Sequence, residues 1–221
     1  MIFTPYGDPE LSEHNLVATE FFDFDHPAVA SFVERTIGSE NDPVAQAVRL
    51  FYAVRDEIRY DMYGVTVDPT RFRASDVLSR TRAFCIPKAS LLVASLRAVG
   101  IPAVIGTSDV VNHFSTPKME RAMGGKTIFL HHGYATIYLA GKWVKAVPAF
   151  NKELCAQMGV APTEFDGHVD ALLQEYDAQN NVRMTYLKDH GHWSDLPMAR
   201  TAADFVGYYP ETFTQLSEHS S

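Results

Sequence analysis

Hydrophobic and polar positions follow a helical period in the first half of the chain. Pro27 and Pro43 each open a stretch whose apolar residues recur every three or four positions, which predicts two helices, the first ending at Gly38. A third helix is predicted over residues 86–99, where apolar residues share one face and Gly100 follows as a C-cap. Before these helices, the first 25 residues end in an aromatic cluster and predict an extended arm laid over an apolar surface.

Alternation replaces the helical period after residue 102. Three strands are predicted, at Ala103–Thr107, Ile128–Leu139 and Lys142–Val147. Ala140-Gly141 predicts a tight hairpin between the last two strands. Beyond residue 151 the pattern weakens, and we expect a helix around Val169–Tyr176 followed by polar loops. This order of elements predicts an α+β fold in which a buried helix packs on an antiparallel sheet.

Composition narrows the class of protein. The chain has 221 residues with 19 Lys and Arg against 27 Asp and Glu, a net charge of −8 that argues against nucleic-acid binding. No apolar run is long enough for a membrane span, and the first residues lack the pattern of a secretory signal. Two cysteines make neither a disulfide framework nor a thiolate metal site. We therefore expect a cytoplasmic, single-domain protein over residues 1–221 that uses no cofactor or metal.

Cys85 is the first candidate for chemistry. Pro87 follows two residues later, and proline is tolerated only in the first turn of a helix, so the helix begins at or just before Cys85. A thiol there meets the positive end of the helix dipole and free backbone N–H groups, which favour a thiolate and stabilise an oxyanion. The alternative is a buried structural cysteine. Cys155 has apolar neighbours and is interpreted as a packing cysteine.

A histidine pair supplies the candidate base. In the strand that starts His131-His132-Gly133-Tyr134, alternation puts His132 and Tyr134 on one face. A cysteine nucleophile needs an imidazole within hydrogen-bond reach to take its proton and later deliver it to the leaving group. The alternative is a pair of histidines that only finishes a strand edge.

Two blocks carry a family resemblance. They are Phe84-Cys85-Ile86-Pro87-Lys88-Ala89 with its continuation to Leu96-Arg97-Ala98-Val99-Gly100-Ile101-Pro102-Ala103, and His132-Gly133-Tyr134 with Tyr138 and Gly141-Lys142-Trp143. Together they resemble the nucleophile helix and the following strands of the transglutaminase-like superfamily, over a core of about 45–151. The resemblance implies a papain-like fold and thiol-based acyl transfer, with Cys85 as nucleophile and His132 as base. The N-terminal arm and residues 152–221 would then wall the pocket.

One position departs from the family pattern. Val147 stands where the family has the aspartate that orients the histidine, and it cannot accept a hydrogen bond. In an antiparallel sheet a residue at the end of the first strand lies beside the start of the second, which favours Asp109 as the replacement. Asn151, just past the third strand, is the rival, and Asp166 is more distant. Asp109 as a capping residue at a strand end is the alternative.

The residue order Cys, Asp, His is similar to that of bacterial Dieckmann cyclases. Hydrolysis, amide formation and ring closure of a carrier-bound thioester share the first half-reaction, so all three remain open. The expected partner is a small-molecule, peptide or carrier-bound acyl substrate, with no nucleic acid and no membrane. The alternative from another functional class is a transglutaminase-like binding module without catalytic activity.

Other polar and aromatic residues are weaker candidates. Asn112 and His113 follow the first strand and are candidates to touch substrate, while Tyr134 and Trp143 are candidate cleft walls. Asp189–His192 is interpreted as a solvated polar loop and not as a metal site, because no further ligand pair supports it.

Overall fold

The computed structural model describes residues 1–4, 7–113, 123–173 and 182–213. Its helices are α1 (Pro27–Ile37), α2 (Pro43–Glu57), α3 (Ala74–Arg80), α4 (Cys85–Ala98), α5 (Lys152–Met158) and α6 (Met198–Tyr208). Within the described ranges, no helix is both long enough and apolar enough to cross a membrane.

Its strands are β1 (Phe3–Thr4), β2 (Arg59–Tyr60), β3 (Arg82–Ala83), β4 (Ala103–Asn112), β5 (Ile128–Leu139), β6 (Lys142–Ala146) and β7 (Met184–Trp193). Five of them form one antiparallel sheet in the order β1-β7-β4-β5-β6, and β2 pairs with β3 in a short parallel ribbon. The α+β class and the three predicted strands are confirmed.

The sheet is wider than predicted because β7 runs antiparallel beside β4. The prediction that Asp189–His192 is a solvated loop was wrong: these residues lie in β7, where His190 and His192 are buried. The helix expected around Val169–Tyr176 is also wrong over 169–173, where Ala171 instead forms a parallel bridge with Ala146. Residues 174–176 lie outside the described residues.

Helix α4 lies at the centre of the molecule. It is buried from Cys85 to Arg97, and it packs on β5 while α1, α2 and α3 surround its other sides. Its polar residues find partners inside: the Arg97 guanidinium donates to the carbonyls of Ala103 and Ser194. The ring of Phe22, from the predicted aromatic arm, lies 4.8 Å from that guanidinium. Because α4 is covered on every side, its first residue, Cys85, is held in place.

Lys88 joins α4 to the end of α2. Its side chain is fully buried, and Nζ donates to the carbonyl oxygens of Arg55, at 2.8 Å, and of Ile58. These are carbonyls at the end of a helix, which lack partners within the helix itself. The contact holds the chain that continues into β2 against the first turn of α4.

Candidate active site

The thiol of Cys85 lies at the first residue of α4, as the proline pattern predicts. The backbone N–H groups of Ile86 and Gly133 and the hydroxyl of Tyr60 lie near it and act to lower the pKa of the thiol. Tyr60 belongs to β2, so three separate elements supply donors to one sulfur atom. Such donors stabilise negative charge on the sulfur or on an oxyanion beside it.

Burial of the Cys85 thiol opposes the effect of these donors on its pKa. It raises the pKa of the Cys85 thiol to about 11, although the backbone and Tyr60 donors act to lower it. The expectation of a lowered pKa is therefore wrong for the free protein, because the cost of desolvating a thiolate outweighs the helix terminus. At neutral pH the Cys85 thiol is therefore in its neutral form.

Gly133 lets β5 approach the head of α4. A Cβ added at this glycine would lie 2.8 Å from the Cα of Ile86 and 3.1 Å from its backbone nitrogen. Contacts that short exclude any side chain. Because the Gly133 amide that reaches the thiol follows directly on His132, the same approach brings the main chain of His132 to Cys85.

His132 is buried and pairs with Ser108 across β4 and β5. Among the described residues neither ring nitrogen has a hydrogen-bond partner, so neither is bonded to the Cys85 thiol. Burial lowers the pKa of His132 to about 4, so the imidazole is neutral at pH 7. A buried imidazole with both nitrogens unused is uncommon in proteins.

Asp109 lies at a bulge between β4 and β5. One β4 residue, Asp109, stands opposite two β5 residues, Leu130 and His131. Its Oδ1 accepts from the backbone N–H of His131 at 3.1 Å and is 2.7 Å from Nε2 of His190. In the described part of the chain no hydrogen bond joins Asp109 to the ring of His132.

The neighbouring histidines form a buried cluster that the sequence patterns did not indicate. The rings of His131 and His190 stack with centroids 4.3 Å apart. His131, whose φ is +53°, bonds to Thr107 and to Asp204 of α6. The adjacent pair His131-His132 was the available signal for His131, whereas nothing in the sequence linked Asp204 to β5.

Asn151, the rival to Asp109, lies close to Tyr60 instead of His132. Its Oδ1 accepts from the Tyr60 backbone N–H at 3.0 Å, and its Nδ2 donates to Glu153 at 2.7 Å. Val147, in the position of the missing aspartate, is buried and donates its N–H to the Ala171 carbonyl. Asn151 is thus placed to hold β2, the strand that contains Tyr60.

The remaining candidates lie in several places. Asn112 is buried at the end of β4, and His113 bonds to the Thr185 hydroxyl at 3.0 Å. Tyr134 is buried and donates to Asp189 at 2.9 Å. Trp143 packs edge-on against Tyr138. Asp166 is bonded to the backbone N–H groups of His168 and Val169 in a local turn. None of these five is among the described residues that line the pocket beside Cys85.

That pocket has a volume of about 150 Å³. Its walls are almost entirely apolar and aromatic, formed by Tyr60, Met62, Tyr63, Val65, Phe84, Cys85, Met123, Phe129, Leu130, Phe205, Tyr209, Thr212 and Phe213. Cys85 is the only strong nucleophile among the described lining residues. Within the same described ranges, no group of three His, Cys, Asp or Glu side chains could hold a metal ion.

In this α+β fold a cysteine is the first residue of a buried helix, and a histidine lies on the adjoining strand. Residues 30–148, more than half of the chain, match the family model described as the transglutaminase-like superfamily. The chain therefore belongs to the transglutaminase-like superfamily.

Two solved structures are similar to part of this chain. A candidate cysteine protease from Cytophaga hutchinsonii has 15% identity and a TM-score of 0.47, with 81% of this chain and 53% of that chain covered. The arylamine N-acetyltransferase from Mycobacterium abscessus has 18% identity and a TM-score of 0.40, covering 65% and 47%. This chain thus spans about half the length of each. No curated protein matches the chain.

Proposed function

We propose that the protein is a thiol acyl-transfer enzyme in which Cys85 attacks an ester, amide or thioester carbonyl. The observation that carries the proposal is the position of the thiol, which faces an apolar pocket and has the polar donor groups of Gly133, Ile86 and Tyr60 beside it. The same donors are placed to stabilise the oxyanion that forms when sulfur adds to a carbonyl.

The first half-reaction transfers an acyl group to sulfur. The Cys85 thiol gives its proton to a base as a sulfur–carbon bond forms, and the bond from that carbon to the leaving alcohol, amine or thiol breaks as the proton is delivered to the leaving group. Water, an amine or a carbanion of the acyl group then attacks the carbonyl carbon, and sulfur leaves as a thiol. The products are an acid, an amide or a ring.

His132 is the proposed base. Its nitrogens have no partner among the described residues, and its main chain lies against the thiol. An imidazole that is neutral at pH 7 can accept the proton that a neutral thiol must release. A rotation of the ring toward the thiol when substrate binds would complete the pair, since catalytic bonds commonly tighten only in the substrate complex.

Asp109 is proposed as a positioning residue for that histidine. It bonds to the backbone N–H of His131 at the bulge that immediately precedes His132. Asp109→Asn should therefore raise the activation barrier more than Asn151→Ala does. Asp109→Asn should lower kcat with little change in KM, because the bulge orients the base and not the substrate. The reverse ranking of the two variants would exclude this role.

The test is acyl transfer to a defined cysteine. The protein is incubated with thioesters of N-acetylcysteamine, and intact-mass spectrometry with peptide mapping locates the acyl group. We expect an adduct on Cys85 that persists in Cys155→Ala and is absent in Cys85→Ala. His132→Ala should slow acylation at pH 7 by about 100-fold or more, the usual contribution of a general base. At pH 10, where solvent ionises more of the thiol, the loss should be smaller. An adduct on Cys155, or no adduct at all, would refute the proposal.

A binding module without activity is favoured by one observation, the valine at position 147. A binding module predicts that Cys85 takes no acyl group from any thioester. It also predicts that Cys85 is alkylated at the same rate in the wild type and in His132→Ala. The acylation experiment therefore separates the two functions. Ring closure by a Dieckmann-type step would appear as a cyclic product released without incorporation of water or amine.

A further inference from the structure

We propose that the pocket beside Cys85 binds the acyl group of the substrate, and that this group is compact, uncharged and apolar, such as a phenylacetyl or 3-methylbutanoyl group. The inference rests on the proposed function, since the acyl carbonyl must reach the Cys85 sulfur. Neither the family match nor the solved structures specify this choice of acyl group.

The chemistry of the walls excludes a charged acyl group. The pocket is lined by aromatic rings, methionines and aliphatic side chains, and no Asp, Glu, Lys, Arg or His occurs among its described lining residues. A carboxylate placed there would lose its water without gaining an ion partner, which is strongly unfavourable. An apolar group loses nothing on entering, and its transfer from water is favourable.

The size of the pocket limits the length of the acyl group. Its volume of about 150 Å³ is that of a cavity that takes one benzene ring. A single ring, or a branched chain of about four or five carbons, fills that space. An acetyl group leaves most of it empty, and a straight chain of ten carbons extends beyond it.

Part of the wall that sets this limit lies outside the family match. Phe205, Tyr209 and Phe213, spaced four residues apart, line the pocket, whereas the match ends at residue 148. The Tyr209 hydroxyl donates to the Ile128 carbonyl at 2.6 Å and accepts from the Leu130 N–H at 2.9 Å. These two bonds fix the C-terminal wall to β5. Choice of acyl group is therefore assigned to this C-terminal wall together with the lining residues of the shared catalytic core, such as Val65.

The experiment compares N-acetylcysteamine thioesters that differ only in the acyl group, so that the leaving group cannot itself fill the pocket. The rate constant for acylation of Cys85 is measured for acetyl, butanoyl, 3-methylbutanoyl, phenylacetyl, decanoyl and succinyl thioesters. Burial of each added methylene should raise the rate about fourfold until the pocket is full. We expect phenylacetyl and 3-methylbutanoyl to react at least tenfold faster than acetyl or decanoyl. Succinyl should react at least 100-fold more slowly than butanoyl.

Two variants and a matched control connect these rates to the pocket. Phe213→Ala enlarges it and should raise the decanoyl rate relative to phenylacetyl at least fivefold. Val65→Phe fills it and should lower the phenylacetyl rate at least tenfold while sparing acetyl. Val206→Phe is the control, because Val206 lies on α6 next to Phe205 but is 47% exposed and does not line the pocket. Its acyl preference should equal that of the wild type.

The outcomes separate this inference from the proposed function. If Cys85 is acylated but succinyl or acetyl reacts as fast as phenylacetyl, the acyl class is wrong while thiol acyl transfer stands. If no thioester acylates Cys85, the function is wrong, and calorimetry of Cys85→Ala with phenylacetamide and succinamate tests the pocket alone. Binding of phenylacetamide only would then support the apolar pocket, and equal binding or none would overturn it.

Discussion

At the scale of single residues, the Cys85 thiol is subject to two opposed effects. Three neighbouring donors favour the thiolate, and burial disfavours it more strongly, so that the pKa rises to about 11. The sequence predicted the donor at the helix start, the Ile86 N–H, because a proline in the first turn marks a helix start, whereas the Gly133 and Tyr60 donors come from other elements and were not predicted. It could not predict the burial, which depends on how β5, β2 and α6 close over the helix.

The raised pKa that results from burial and the neighbouring donors predicts how alkylation of Cys85 depends on pH. With a thiol pKa near 11, the rate with iodoacetamide should rise about tenfold for each pH unit between 7 and 10. Tyr60→Phe removes a donor to the thiolate and so raises the thiol pKa further. At each pH the variant should react about tenfold more slowly, the equivalent of one hydrogen bond to a charged group.

Tyr52→Phe is the matched control for that experiment. It also removes a tyrosine hydroxyl, bonded to Glu164 at 2.7 Å, but away from the pocket that contains Cys85. Its alkylation profile should coincide with that of the wild type. A flat profile between pH 7 and 10 in the wild type would show that the thiol is already ionised, contrary to the structure.

At the scale of elements, the site depends on the contact between α4 and β5. This contact requires glycine at position 133, where a Cβ would lie 2.8 Å from Ile86 Cα. Gly133→Ala should push the strand from the helix, destabilise the protein by about 1–3 kcal/mol as overpacking does, and reduce acylation of Cys85. Urea unfolding and the thioester assay measure the two effects.

Gly207→Ala provides the comparison. Gly207 lies in α6 and no atom falls within 4 Å of an added Cβ, so alanine should stabilise the helix by about 0.5–1 kcal/mol. Acylation should be unaffected. Equal losses of activity in the two alanine variants would show that the close approach at Gly133 has no special role.

Elements with a clear period were predictable, and those without one were not. Helix α4 and strands β4, β5 and β6 were found because Gly100 and Ala140-Gly141 punctuate regular patterns. Strand β7 was missed because its sequence, MTYLKDHGHW, is polar along much of its length. Its place in the sheet comes from pairing with β4, a contact between residues far apart in sequence. Asp204 and Tyr209 reached the site through the same kind of distant packing.

At the scale of the whole molecule, several histidines are enclosed in the sheet. Burial lowers the pKa of His132 and of His192 to about 4, below the ordinary value of 6.5. Between pH 6.5 and 4 the unfolded chain therefore binds protons that the folded protein does not. The free energy of unfolding should fall as the pH is lowered through this window, by about 1.4 kcal/mol per unit for each histidine.

Urea unfolding at several pH values checks this expectation. Burial lowers the pKa of His131 as well, so His192→Gln removes one of several such titrations, and the slope of stability against pH should become shallower, whatever the change in stability at pH 7. His14→Gln, at an exposed position, should keep the slope of the wild type. Stability that stays constant from pH 6.5 to 4 would mean that neither histidine is buried in the neutral form.

The strand order β1-β7-β4-β5-β6 also has a consequence for synthesis on the ribosome. Strands β4, β5 and β6 are adjacent in the chain and can pair as soon as they emerge, whereas β7 must be made before it can pair with β4 and β1. The aromatic wall of residues 205–213 emerges later still. During this interval the nascent chain presents Cys85 without the C-terminal wall of its pocket. The proposed choice of acyl group would thus be acquired only with the last residues of the wall to be translated.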